Sequence, residues 1–280
     1  MSAPAAQAKP VFKLIGGASL HPDQVAGHGD IMEGDGLIYK PSNGLEPAFY
    51  QSLAVHAPEG FREFTPKFYG MFKRAPYTKD TYVGMENLTH KYVHPCVLDL
   101  KIGTRQHMDS FTPEKIAVCL EKCCKSTSLS TGVRVCGMKV YRPHKDAFLS
   151  LNKDAGKLLR EEHLPSVLDA FLSDGEVRLH RLAQFFCERI KALREIMATQ
   201  HTYNLISTSL LLVYDADLPG ESGDHQMLAA CKTIDFANAT LQKDDGHEID
   251  TGYVKGLDSL LSYFEALADP NFKPIDLPLK

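Results

Sequence analysis

Long apolar runs are absent from this chain of 280 residues. No stretch approaches the roughly 18 consecutive apolar residues of a membrane-spanning helix. Residues 1–10 are rich in Ala and Pro and lack the apolar core of a signal peptide. We therefore expect no membrane span and a flexible tail over residues 1–19. The remaining length is sufficient to bury a substantial core.

A regular cysteine framework is also missing. The seven cysteines are an odd number, which is typical of a protein from a reducing compartment. We expect a cytoplasmic or nuclear location. Cys119, Cys123 and Cys124 lie close together in the sequence, but no second Cys or His pair at ligand spacing accompanies them. A zinc site is therefore the less favoured interpretation.

A strong overall charge is lacking too. The formal net charge of −4 argues against general nucleic-acid binding, and we expect no nucleic-acid partner. The charge is nevertheless uneven, because the segment from Lys101 to Lys145 holds nine Lys and Arg against three acidic residues. A local basic concentration on an acidic chain suits a compact polyanionic ligand.

Familiar nucleotide-binding fingerprints are not found either. Gly27, Gly29, Gly34 and Gly36 match neither a Walker loop nor a GxGxxG motif, and they fit hairpin turns equally well. The His-Arg-Asp and Asp-Phe-Gly signatures of protein kinases are absent, which disfavours a kinase that acts on proteins.

What the chain does contain is a short apolar stretch, residues 94–103, that carries two opposite charges. Its β-favouring side chains predict a buried strand ending at Gly103. Asp99 and Lys101 are two residues apart, so a strand points both to one face. Burying two charges is unfavourable unless they meet each other, a ligand or a metal. A functional site and a plain ion pair both remain open.

The residues before this stretch predict a small, largely antiparallel sheet, with strands over 37–40, 64–71 and 81–85. Lys40 ends the first strand and Glu46 opens a helix over 46–55. This arrangement resembles the lysine and glutamate with which kinases hold nucleotide phosphates, although such a pair is common by chance.

The turn after the last of these strands has two possible roles. Backbone groups of Glu86 and Leu88 can pair with an adenine edge, or the segment is an ordinary strand-end turn.

Beyond Gly103, Thr112 and Pro113 give a clear helix start, and we predict a helix over 113–125. Lys115 and Lys122 share one face of it and are suited to separate phosphates or to a solvated flank. The opposite face is formed by Ile116, Leu120 and Cys123.

Further strands are predicted over 132–141, 207–214 and 231–237, a long core helix over 176–200 and a last helix over 253–267. An exposed loop is predicted over 215–224. Asp235 stands at the end of a hydrophobic strand and is a candidate metal ligand beside nucleotide phosphates.

Taken in order, these motifs resemble the inositol polyphosphate kinase family. They are Pro95-x-x-x-Asp99-x-Lys101-x-Gly103, the Ser-Leu-Leu at 209–211 and Ile234-Asp235-Phe236. The stretches 103–107, 126–128 and 132–138 are most similar to the inositol hexakisphosphate kinase branch. The resemblance extends from about residue 24 to residue 267.

The resemblance implies an α+β, two-lobed fold related to protein kinases. Residues 20–88 would form an N-lobe with an antiparallel, nucleotide-binding sheet. Residues 89–280 would form an α/β C-lobe, with a small helical substrate-binding insert at about 104–130. ATP, Mg²⁺ and an inositol polyphosphate would be the partners of a monomeric enzyme.

It also implies roles for individual residues. Asp99 and Lys101 would be catalytic, and Asp235 would bind Mg²⁺. The nucleotide-binding residues would be Lys40, Glu86, Leu88, Asp99, Ser209 and Asp235. The substrate-binding residues would be Lys101, Arg105, Lys115, Lys122, Lys125 and Asn238.

Three departures from the family pattern concern the acceptor. Asn238 stands where relatives usually carry His, Ala26-Gly27-His28 replaces Gly-Gly-His, and the segment between Tyr214 and Cys231 lacks the long insertion of animal relatives. The expected activity is ATP-dependent conversion of inositol hexakisphosphate to a diphosphoinositol pentakisphosphate. A multikinase-like activity on ring hydroxyls of tris- or tetrakisphosphates and a non-catalytic inositol phosphate sensor are the alternatives.

Overall fold

The computed structural model describes residues 12–15, 19–20, 31–42, 44–74, 80–217, 228–242, 248–269 and 271–277. Residues 1–11, the Ala26-Gly27-His28 segment and residues 218–224 of the expected loop lie outside this range.

Thirteen strands and seven helices are assigned in the described residues. The strands are β1 (Phe12–Ile15), β2 (Ser19–Leu20), β3 (Met32–Gly34), β4 (Leu37–Pro41), β5 (Phe68–Arg74), β6 (Thr81–Glu86), β7 (Pro95–Ile102), β8 (Val133–Arg142), β9 (Ala147–Leu151), β10 (Tyr203–Asn204), β11 (Ser209–Asp215), β12 (Ala229–Ile234) and β13 (Thr240–Leu241). The helices are α1 (Leu45–His56), α2 (Pro113–Cys124), α3 (Ser128–Thr131), α4 (Lys153–Leu158), α5 (Leu164–Phe171), α6 (His180–Met197) and α7 (Thr251–Ala268).

The first sheet has six strands in the order β1-β5-β6-β4-β3-β2. Its pairs are antiparallel apart from β1 and β5, which run parallel. The expected flexible segment 1–19 therefore includes residues that form strands β1 and β2. The predicted strand over 64–71 was wrong in its first half, because Phe61–Phe64 forms a 3₁₀ turn that buries Phe61 and Phe64.

The second sheet has five strands in the order β12-β11-β7-β8-β9, and every pair is antiparallel. The stretch predicted as a buried strand forms β7, the central strand of this sheet. Its apolar residues Leu98, Leu100 and Ile102 are at most 1% exposed and join the main core. Helices α5, α6 and α7 pack on this core. The site residues on β7 therefore stand on the central, core-facing strand of this sheet.

Helix α2 differs from the rest because most of its surface is exposed. Thr112 caps it as predicted, its hydroxyl accepting from the amide of Lys115. Of the three residues predicted to share one face, Cys123 is buried and Leu120 is 48% exposed, so that face is only partly covered. Of the helices in the described ranges, none is both long enough and apolar enough to cross a bilayer.

Candidate active site

Asp99 and Lys101 lie side by side on β7 and face the same cavity. Strand alternation accounts for the shared face, as predicted. Asp99 is 5% exposed, and its Oδ1 atom has no hydrogen-bond partner among the described residues. The Nζ atom of Lys101 donates to the carbonyl of Ser207 at 2.8 Å. The pair is therefore held in the sheet at the wall of the cavity.

Asp235 reaches the same place from the end of β12. Its backbone is in the left-handed region, with φ of 66°, which is uncommon for a non-glycine residue. Its carboxylate accepts from Lys40 Nζ at 2.6 Å and lies 3.6 Å from Lys101 Nζ. Two cations thus fix this carboxylate, and strained backbone of this kind clusters at functional sites.

Lys40 is the link between the two sheets at this point. It lies on β4, and its Nζ atom is 3.1 Å from Glu46, near the start of α1. Glu46 is only 2% exposed and also accepts from the amide of Phe236, at 3.2 Å. The strand lysine and helix glutamate paired by sequence reasoning do meet, and Glu46 ties α1 to the residue after Asp235.

Burial and the two lysines set the protonation of the carboxylates. Burial would raise the pKa of Asp235, but Lys40 and Lys101 outweigh it and lower the pKa to about 2. Burial dominates at Asp99 and raises its pKa to about 6, although Lys101 offsets part of the effect. The Ser209 hydroxyl is close enough to favour the charged form of Asp99, but it does not meet hydrogen-bond geometry.

These groups stand at one end of a cavity of about 1190 Å³. Its other walls are basic. The predicted site residues that line it are Lys40, Asp99, Lys101, Lys115, Lys122, Lys125, Asp235 and Asn238. Lys125 pairs with Glu121 on α2, whereas Lys115 lies over the ring of Phe111, 3.3 Å from its centroid. The structure therefore joins the ion network and the lysine-bearing helix in one space.

Four predicted site residues do not line this cavity. Glu86 ends β6 and accepts from the amide of Lys67, and Leu88 lies in the following turn. Arg105 pairs with Asp109 and donates to the carbonyl of His107. Ser209 is fully buried on β11, opposite Lys101 in the ladder. The adenine-binding role of residues 86 and 88 stays a prediction.

Among the cavity-lining residues that sequence reasoning missed are three cations and one amide. Arg134 comes from β8, where it pairs with Lys101 across the ladder, and Gln106 comes from the loop after β7. Lys153 and Lys157 come from α4, on another wall. The sequence did contain a signal for this helix. Asn152 is a favourable N-cap residue, and the two lysines that follow it are four residues apart and so share one helical face. Nothing in the sequence placed that helix at the same cavity as α2.

Comparison with known proteins identifies the family. A family model described as "Inositol polyphosphate kinase" matches residues 82–265. Inositol hexakisphosphate kinase 3 of Mus musculus is 35% identical over 191 residues, which cover 63% of this chain and 48% of the relative. The human protein of that name is 34% identical over 210 residues, covering 66% and 51%. Inositol hexakisphosphate kinase 1 of Rattus norvegicus is 34% identical over 223 residues, covering 67% and 52%.

The chain thus spans about half the length of the curated relatives it matches. Two solved structures share its fold. Inositol phosphate multikinase Ipk2 from S. cerevisiae, in complex with ADP and Mn²⁺, has a TM-score of 0.71 at 22% identity, covering 83% of this chain and 99% of that one. Another inositol phosphate multikinase structure has a TM-score of 0.66 at 24% identity, covering 80% and 99%.

These likenesses confirm the α+β fold expected from the sequence, while the boundaries at residues 20, 88 and 89 and the insert at 104–130 stay predictions. The family model covers well over half of the chain and includes both β7 and Asp235. The chain belongs to the inositol polyphosphate kinase family.

Proposed function

We propose that the protein is an ATP-dependent inositol phosphate kinase that converts inositol hexakisphosphate to a diphosphoinositol pentakisphosphate. The observation that carries the proposal is the single cavity in which the network of Lys40, Asp235 and Lys101 faces basic side chains from α2, β8 and α4. Such a space suits two polyanions, the nucleotide triphosphate and the acceptor, brought together at Lys101.

A divalent metal fits beside the nucleotide phosphates. Mg²⁺ in kinases is usually held by one or two carboxylates together with substrate phosphates. Asp235 supplies a carboxylate that Lys40 and Lys101 keep ionised, and the described residues contain no cluster of three or more His, Cys, Asp or Glu side chains that would form a closed cage. Mg²⁺ bound there would neutralise phosphate charge and polarise the transferred group.

In the proposed transfer, the bond from the γ-phosphorus to its bridging oxygen breaks and an acceptor phosphate oxygen bonds to that phosphorus. ADP leaves with the electron pair. Lys40 would hold nucleotide phosphates, and Lys101 would stabilise charge on the transferred group. Fixed positive charge and positioning supply most of the rate in such reactions. A phosphate acceptor carries no hydroxyl proton that must be removed.

The multikinase-like activity is the second candidate, and Asp99 favours it. A ring hydroxyl needs a base, and Asp99 forms no ion pair within the described part of the chain, while burial raises its pKa to about 6. Asn238, where relatives usually carry His, lines the same cavity.

Product analysis separates these candidates. Purified protein would be incubated with ATP, Mg²⁺ and a panel from inositol trisphosphates to inositol hexakisphosphate, and products resolved by anion-exchange chromatography and ³¹P NMR. The proposal predicts a new diphosphate signal from inositol hexakisphosphate. Transfer only to hydroxyl groups of tris- and tetrakisphosphates would replace it with the multikinase-like activity.

Asp235→Asn tests for a non-catalytic sensor. The variant removes the charge that pairs with Lys40 and would hold Mg²⁺, so we expect kcat to fall on the order of 10²-fold or more. Inositol phosphate binding, measured by calorimetry, should stay within a few-fold. A sensor would instead bind inositol phosphate without turnover even in the wild-type protein.

A further inference from the structure

Arg134 is one of the cavity-lining cations that form no ion pair within the described residues, whereas four of the eight Lys and Arg side chains there do. Lys40 and Lys101 face Asp235, Lys125 pairs with Glu121 and Lys157 pairs with Asp154. Arg134 is half-buried on β8 and forms no ion pair with any residue in the described ranges. Its guanidinium, which is charged whether or not it is paired, lies beside Lys101, its neighbour across the ladder, and helps to lower the pKa of Asp99.

The polar partner that the structure gives Arg134 is Gln106. One guanidinium nitrogen of Arg134 donates to Gln106 Oε1 at 3.4 Å. Gln106 Nε2 donates to the Ser128 hydroxyl at 3.0 Å. Gln106 is 7% exposed and Ser128 is fully buried, so the amide is enclosed and has little freedom.

The orientation of this amide follows from its two neighbours. A guanidinium only donates hydrogen bonds, so the amide oxygen must face Arg134, whereas a hydroxyl can donate or accept and takes the remaining NH₂ group. A neutral acceptor fixes the guanidinium without cancelling its charge. Arg is also suited to bidentate contact with phosphate, which depends on the direction of its planar fork.

We propose that Gln106 is a positioning residue that holds Arg134, fully charged, for a phosphate of the acceptor. This inference rests on the proposed function, because it assigns Arg134 to the acceptor side of the same cavity. Gln106 acts through Arg134 and not on the reacting atoms. Ser128 in turn keeps the amide from rotating.

Gln106→Glu is the informative change, since it preserves shape and alters charge. The Ser128 hydroxyl can donate to the new carboxylate, and Arg134 would form an ion pair with it, so we expect no loss of thermal stability. The ion pair would compete with the acceptor. We expect the dissociation constant for inositol hexakisphosphate, measured by calorimetry, to rise at least tenfold while the KM for ATP changes less than twofold.

Two further variants are needed: one tests whether the weaker acceptor binding of Gln106→Glu depends on Arg134, and the other controls for the added charge. In an Arg134→Gln background, Gln106→Glu should weaken acceptor binding much less than it does in the wild type, because the residue it acts through is gone. Gln51→Glu places the same charge change on an exposed face of α1 outside the cavity and should leave acceptor binding unchanged.

The outcomes separate this inference from the proposed function. If the wild-type protein does not bind inositol hexakisphosphate, the proposed function fails and the inference fails with it. Normal wild-type binding with no change in Gln106→Glu overturns the inference alone. An equal loss in both backgrounds, or a drop in melting temperature with every kinetic constant impaired, also overturns it, since the carboxylate then acts directly on the ligand or on the fold.

Discussion

Asp99 is the residue whose ionisation should be visible in the rate. Burial raises its pKa to about 6, so the carboxylate is lost as the pH falls through that value. If Asp99 acts as the base for a ring hydroxyl, kcat/KM with that acceptor should decline below about pH 6, with an apparent pKa near this value in the pH–rate profile. Asp99→Asn should lower activity and abolish this inflection. A wild-type profile that stays flat between roughly pH 5 and pH 8 would contradict the role of Asp99.

The same residue should carry a stability penalty. A carboxyl group whose pKa is higher in the folded state than in the unfolded chain favours folding when protonated, and that contribution disappears as the pH rises from about 4 to about 6. We expect Asp99→Asn to be more stable than the wild type at pH 8, on the order of 2 kcal/mol. Urea unfolding at several pH values would measure the difference, which should shrink near pH 4.

Urea unfolding of Asp235→Asn under the same conditions is the control, because this substitution should change the free energy of unfolding in the opposite direction. Lys40 and Lys101 lower the pKa of Asp235 to about 2, so its charged form stabilises the fold at neutral pH. That variant should be less stable than the wild type at pH 8. If both variants shifted stability in the same direction, the electrostatic account of the site would be wrong.

At the scale of the elements, Gly132, the residue between α3 and β8, lies against Gly256 of α7. Gly132 has φ of 71°, and a Cβ atom there would lie 2.7 Å from the amide nitrogen of Gly256. Gly132→Ala adds left-handed strain to a backbone clash, so we expect it to destabilise the protein by roughly 2–4 kcal/mol. Gly70→Ala is the matched control, because Gly70 also has positive φ but a Cβ there meets nothing within 4 Å.

Chemical denaturation would measure the stability of both variants. Gly70→Ala reports backbone strain alone, and Gly132→Ala reports strain together with the steric clash. The loss in Gly70→Ala should be about 1 kcal/mol. Equal losses in the two variants would mean that α7 shifts to accommodate the new methyl group.

The elements that local sequence could predict are those with strong periodicity or capping. Strand β7, helix α2 with its Thr112 cap and the two long helices were placed within a few residues. The parallel pairing of β1 with β5 was not predictable, because register between distant strands leaves no local pattern. The 3₁₀ turn at Phe61–Phe64 was missed because buried aromatic residues favour strands equally well.

The site residues likewise differ in whether local sequence could predict their place. Asp99 and Lys101 could be paired from their spacing alone, since strand geometry is local. Lys153 could not be assigned to the cavity, because its place there depends on how α4 packs on β8. Helical spacing grouped Leu120 with Cys123 on one face of α2 but could not show that Leu120 is exposed, because spacing does not show which side of a helix meets the protein.

For the molecule as a whole, the distribution of charge matters more than its sum. The chain is −4, yet the cavity is lined by eight Lys and Arg and five Asp and Glu side chains. A polyanion would therefore be attracted to the cavity while the remaining surface repels it. This field is screened by salt, with a Debye length of about 10 Å at 0.1 M and about 3 Å at 1 M.

Salt should consequently weaken acceptor binding far more than it affects the fold. We expect the KM for inositol hexakisphosphate to rise about tenfold or more between roughly 0.05 and 0.5 M NaCl, while the free energy of unfolding changes little. Lys122→Gln removes a cavity charge and should flatten the salt dependence, whereas Lys145→Gln, exposed and outside the cavity, should not. An acceptor KM independent of salt, or equal effects of the two substitutions, would show that the basic walls do not bind the acceptor.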